Sequence, residues 1–334
     1  LLRGSGGTQG RLAALRAQGY PVSVEDIATA LGTNAAQARQ NVEQLDAFAL
    51  AIRVDTTRRP PRGRTNAARE REWARAQLTP DNVAQFDKLH SHLGQGPWLV
   101  DEPTKGLMRL RSIPLGKARA LANLLEVEAM SAAILEDSQR ASAAIEAGID
   151  LARAVDSTSL LTHRLQAIPL ELIAVSAAEF AFSRWQWPDS DLDDLEQCFR
   201  SAEDTNAFRR TLAGERALFL TGLQQDPASL ASAMSSGAAA GATAGSGSPF
   251  FATVIGGFYA AVLRSGDRSH GLNQFEHLIS AVPIEGPESR AAVRRFQQDL
   301  KSMRWTWRWP LSNQTLPTLA SAVAIEWRRL ATLR

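Results

Sequence analysis

Two carboxylates stand in surroundings that would change their chemistry. Glu179 lies in AVSAAEFAF and Glu215 in LAGERALFL. A charge set among apolar residues is costly unless something pairs with it. Burial would raise such a carboxyl toward the range of a general acid. Two of them together would make the acid/base pair of a glycan- or peptide-directed hydrolase. The structural alternative is pairing with Arg164, Arg184, Arg209 or Arg216, which would hold helices in register. Nothing in the spacing brings the two carboxylates together, so pairing is the preferred reading.

The histidines are His90, His92, His163, His270 and His277. His90 and His92 are two residues apart, which points them to different sides of a helix. Zinc-binding helices place histidines three or four apart, and no metal site is expected here. His163 opens an apolar segment and reads as a hydrogen-bonded structural residue. Cys198 is the single cysteine, so no intrachain disulfide can form, and it reads as a small buried hydrophobe. The chain has no phosphate-binding loop, no nucleophile elbow and no Gly-rich strand-to-helix turn, and no cofactor is expected. These absences remove the enzyme classes that local motifs reveal, and a non-enzymatic role is the expectation.

Other residues suit partner binding. Trp305, Trp307 and Trp309 would share one face of an extended segment beside Arg304 and Arg308. They read as a platform for a sugar or a protein, or as a core clamp sealing helix ends together with Trp185 and Trp187. Arg58, Arg59, Arg62 and Arg64 crowd the stretch DTTRRPPRGR. That stretch reads as a basic arm for a polyanion or as a solvated linker, the latter preferred. A formal net charge of only +2 argues against a general nucleic-acid binder. The basic residues are nearly all Arg, with Lys only at positions 88, 105, 117 and 301. Arg suits bidentate pairing at protein interfaces.

The elements that carry these residues are helical. Residues 1–10 read as a flexible Gly/Ser-rich tail. A helical region at 11–112 follows, broken by the basic linker at 55–64, where Pro60-Pro61 cannot continue a helix. Within it, Ser23 reads as an N-cap with Asp26 in the capping-box position. Residues 94–113 read as loop with short extended pieces. A central domain of helical hairpins spans 113–226. Leu121, Leu124, Leu125, Ala129, Ala132 and Leu135 make one stripe, and Ala141, Ala144, Ile145, Gly148, Leu151, Ala152 and Val155 make another. The small residues of the second stripe would let helices approach closely. A third helix, about 159–184, is apolar almost all round and is expected to be the most buried, with a kink at Pro169. The Gly/Ala/Ser-rich tract 227–249 reads as a loop, and helices resume over 250–334.

This pattern predicts an all-α fold of antiparallel hairpins packed as an irregular array, solenoid-like but without a fixed repeat. No unbroken apolar run reaches the roughly 18–20 residues that cross a bilayer. The chain opens Leu1-Leu2-Arg3-Gly4 without an initiator Met. A processed or incomplete product is expected, which leaves room for a signal or membrane anchor before Leu1.

The order of elements resembles a group of uncharacterised helix-rich proteins of planctomycete-type and verrucomicrobial bacteria. The resemblance rests on RLAALRAQGYPVSVEDI at 11–27, LANLLEVEAMSAAILEDSQRASAAIEAGIDLARAV at 121–155, LTHRLQAIPLELIA at 161–174 and FRRTLAGERALFL at 208–220. Gly214-Glu215-Arg216 sits where that group has a similar helical turn. The resemblance implies a helical domain facing the cell envelope or periplasm, anchored before Leu1, and implies no activity. A cytoplasmic location is the alternative. The function expected from all of this is a helical scaffold or accessory subunit that binds other protein subunits. The hydrolase and the polyanion binder are the two alternatives.

Overall fold

Capping chemistry sets the first helices. The computed structural model describes residues 5–30, 32, 34–57, 60, 67–102, 110–158, 160–184, 187–202, 205–224 and 264–281. Helix α1 runs Ser5–Ala17, starting inside the expected tail, and Gly19 leaves it at a φ of 79°. Thr8 is buried, and Arg11 donates to Asn273 at 2.8 Å and to Glu276 at 2.6 Å, contacts that hold this Gly-rich stretch as helix. Helix α2 is Val24–Ala30. The Ser23 hydroxyl accepts from the Asp26 N–H, and Asp26 accepts in return from Val22 N–H, a capping box shifted by one residue.

Next come α3 (Ala35–Ala51), capped by Asn34, α4 (Ala67–Gln77) and α5 (Pro80–Leu93), capped by Thr79 with Pro at its first position. Two short antiparallel strands follow, β1 (Val100–Asp101) and β2 (Leu110–Arg111), as the irregular stretch 94–113 suggested. Helices α6 (Leu115–Ile134) and α7 (Ser138–Val155) form the clearest hairpin. Pro114 is the N-cap of α6, and Asp137 caps α7. A single 3-10 turn at Asp156–Thr158 precedes α8 (Leu161–Phe182), which continues through Pro169. Helices α9 (Asp189–Ala202), α10 (Thr205–Gly222) and α11 (Arg264–Ala281) complete the described elements. The fold is all-α, and no solenoid repeat is established.

The chain divides into two compact units. Unit 1 gathers 1–30, 159–161 and 205–328. Unit 2 gathers 31–158, 162–204 and 329–334. The two stripes of α6 and α7 face each other in unit 2. Leu121, Leu125, Leu151 and Val155 meet Leu45, Phe86 and Leu89 in one cluster. Ala129, Ala132, Ala141, Ala144 and Ile145 meet Ala177, Ala178, Ala181 and Trp187 in another. A β-carbon on Gly148 would come within 3.1 Å of the Ala174 Cβ, so glycine lets α7 and α8 touch at backbone distance.

In unit 1, α10 packs on α2 and α11. Phe219 and Phe275 stack with ring centroids 5.7 Å apart, and Val24 N–H donates to the Thr221 hydroxyl at 3.0 Å.

Helix α8 departs from expectation. It is long and apolar enough to cross a membrane by length and composition. A count of unbroken runs stops at Glu171, whereas an average over the helix tolerates it. Yet α8 is not the most buried helix. Only 44% of its most apolar 18-residue stretch is buried, and Leu172 and Phe182 are each 42% exposed. The continuous burial belongs to α6, from Leu124 through Ile134.

Candidate functional site

The two carboxylates singled out above are not a buried pair. Glu179 is exposed on α8 in unit 2. Glu215, on α10 in unit 1, accepts the Leu161 N–H at 2.8 Å. Burial raises the Glu215 carboxyl above its ordinary value, and that hydrogen bond partly offsets the rise. The expected arginine partners have gone elsewhere. Arg164 reaches Asp156 at 2.8 Å and Glu171 at 3.6 Å, and Arg184 reaches Glu70 at 3.0 Å while lying over the Phe180 ring. Glu179 was misread because AVSAAEFAF looks apolar in one dimension. On the helix, Glu179 falls with Pro169, Leu172 and Ser176 on the face left open to solvent.

His90 bonds Glu128 at 2.9 Å, and His92 bonds the Asn41 carbonyl at 3.0 Å between Phe48 and Trp98. The two therefore serve different neighbours, as their spacing suggested. Burial pushes His163 down to about 4, which keeps it neutral at physiological pH. Cys198 packs beside Ile149, Ala174 and Ala202, and burial pushes its thiol up to about 11, so little of it is thiolate at neutral pH. Among the described residues, no group of three or more His, Cys, Asp or Glu is placed to hold a metal ion. Trp187 is buried, donates to the Ala181 carbonyl and stands edge-on to Phe182, closing the end of α8. Trp305, Trp307, Trp309, Arg304 and Arg308 lie outside the described residues, as do Arg58, Arg59, Arg62 and Arg64.

The most developed polar cluster of unit 2 is centred on Glu128, wholly buried on α6. It accepts from Arg140 at 2.7 Å, and Arg140 also donates to Asp87 at 2.8 Å. Burial pulls the Arg140 guanidinium down, but its bonds to Asp87 and the field of Glu128 more than offset this and leave it above its ordinary value. Helices α5, α6 and α7 are thereby tied through one arginine.

The cavity of most chemical interest lies in unit 1. It has a volume of about 360 Å³, within the range of small-molecule sites. Helix α1 supplies Arg11, Ala14, Leu15 and Gln18, the following turn supplies Tyr20, α10 supplies Arg209 and Arg216, and α11 supplies Glu276 and Ile279. Arg209 and Arg216 are seven residues apart, two helical turns, so they share one face of α10. Arg216 is only 2% exposed. Its guanidinium lies 5.7 Å from the Tyr20 ring centre, and one Nη makes a long 3.4 Å bond to the Pro21 carbonyl. The Nε groups of both Arg209 and Arg216 are buried without a hydrogen-bond partner. Such a donor costs about 1–3 kcal/mol while unmet. Arg11 already pairs with Glu276. Among the described lining residues, three guanidinium groups therefore stand against one carboxylate.

In the sequence alone, Arg209 and Arg216 stand out only as partners for a buried glutamate. Their i, i+7 spacing in FRRTLAGER was the available signal, and it acquires meaning only once α1 and α11 close the cavity.

Comparison with known proteins finds no match: no family model, no curated protein and no solved structure aligns with this chain.

Proposed function

We propose that the chain is a non-catalytic helical accessory subunit that docks an apolar helix face of another protein in a larger assembly at the cell envelope. The observation that carries this reading is the open face of α8. An unusually apolar helix leaves Pro169, Leu172, Ser176 and Phe182 exposed beside the charged Glu179, flanked by half-buried Leu165, Ile173, Val175 and Phe180. Exposed apolar residues grouped on one element mark interaction sites more often than scattered ones do. A helix tied down by the largely buried Arg164–Asp156 pair, and by the partly exposed Arg184–Glu70 pair just past its end, would present that face with little loss of entropy on docking.

The hydrolase reading has no comparable support, because Glu179 is exposed and Glu215 already serves a backbone N–H.

Native mass measurement after mild purification tests the proposal. A particle well above 36.2 kDa containing other chains is expected, together with fractionation alongside the envelope. Replacing both Leu172 and Phe182 by Asp is expected to weaken that association about tenfold or more while the helical signal is kept. A native particle of 36.2 kDa, or an association unchanged in the double variant, overturns it.

A further inference from the structure

We propose that the cavity between α1, α10 and α11 of unit 1 binds a small organic anion, its oxyanion head held by Arg209 and Arg216 and its apolar body lying against Leu15, Tyr20 and Ile279. This inference is independent of the docking role proposed for α8.

Three observations converge. The cavity is of ligand size, and its described lining includes the guanidinium groups of Arg11, Arg209 and Arg216 and the apolar Ala14, Leu15 and Ile279. Both α10 arginines carry a buried Nε–H that nothing accepts. Glu276, the carboxylate among the described lining residues, is bonded to Arg11 and its field also reaches Arg216, so one carboxylate is shared among three guanidinium groups. Guanidinium donors bind planar and tetrahedral oxyanions through paired, charge-assisted hydrogen bonds. An oxyanion drawn into the cavity would meet three guanidinium groups and one carboxylate among the described lining residues. The Arg216 guanidinium lies over the Tyr20 ring and reaches the Pro21 carbonyl, contacts that orient it before any ligand arrives. Carboxylate and phosphate heads share this chemistry, and the cavity's apolar wall selects for an attached hydrocarbon or aromatic group.

Isothermal titration of the full chain with phenyl phosphate, benzoate and inorganic phosphate, in low salt, tests the assignment. Saturable 1:1 binding of phenyl phosphate or benzoate is expected, and whichever binds more tightly identifies the head group. Inorganic phosphate is expected to bind about tenfold more weakly, because it lacks the apolar body. Arg209→Gln is expected to weaken binding about tenfold or more without lowering the thermal midpoint, since Arg209 is only half-buried and its Nε–H goes unmet. Arg216→Lys keeps the charge but loses the planar fork, and is expected to weaken binding as well. The half-buried Arg209 keeps the test decisive if the Arg216 variant does not fold. Absence of saturable binding by both organic probes up to about 10 mM overturns the proposal, as does unchanged affinity in Arg209→Gln. Equal affinity for inorganic phosphate overturns the organic character of the ligand.

Discussion

Glu128 and Arg140 meet at 2.7 Å across the α6–α7 hairpin, the carboxylate side chain wholly buried and the guanidinium 18% exposed. A pair of this kind gains less from its own attraction than is lost when one partner alone is removed. Arg140→Met is therefore expected to destabilise unit 2 by about 3–5 kcal/mol, because Glu128 is left with His90 as its described partner. Glu128→Gln combined with Arg140→Met is expected to recover most of that loss. Urea denaturation of the single and double variants measures both.

The Gly148–Ala174 approach predicts a steric cost. Gly148→Val adds branched volume where even a β-carbon stands 3.1 Å from Ala174, and a loss of about 1–3 kcal/mol is expected. Gly148→Ala sets a few tenths of an ångström of crowding against a helix-propensity gain of about 1 kcal/mol, so its effect is expected to be much smaller. Thermal unfolding of the two variants, read as the difference between them, checks this.

Glu215 makes stability depend on pH with a definite sign. Its folded carboxyl sits above the unfolded value because burial penalises the charge. The folded state then holds the proton more tightly, so this contribution is fully present below the unfolded carboxyl range and is lost as pH rises through the folded value. Glu215→Gln keeps an oxygen able to accept the Leu161 N–H and has no charge to bury. It is expected to be more stable than the parent at neutral pH and to lose that advantage at acid pH. Denaturation midpoints of both proteins across the acid-to-neutral range provide the check.

Cys198 offers a chemical measurement. A thiol pushed up to about 11 from an ordinary value of 9.0 holds about a hundredfold less thiolate at pH 8. Alkylation by iodoacetamide in the folded protein is expected to be slower than that of a small thiol by at least about this factor, and to approach the free rate in denaturant. Mass spectrometry over a time course follows it.

Much of the helical framework was legible one residue at a time. Asn34, Thr79 and Asp137 announce helix starts through short-range side-chain bonds, and Gly19 marks an end through its positive φ. The range of α5 follows directly from such local signals, Thr79 and Pro80 at its start and Gly94 at its end. The α6 and α7 stripes were equally visible, because apolar periodicity of 3.6 needs only the helix itself.

Burial of single residues was not decided at that level. Glu179 and Glu128 both occupy apolar-looking helices, yet one is exposed and the other wholly buried. Helix α8 has the composition of a core helix and an open face, because what covers a helix depends on which others pack beside it. Helix starts, stops, hydrophobic stripes and the all-α class were determined by the sequence itself, since each depends on bonds within a few residues. The pairing of Arg140 with Glu128, and the closing of a cavity around Arg209 and Arg216 by helices more than 190 and about 60 residues away along the chain, were decided only by tertiary structure. Charge burial depends on neighbours distant in sequence, and no local spacing encodes which of them arrive.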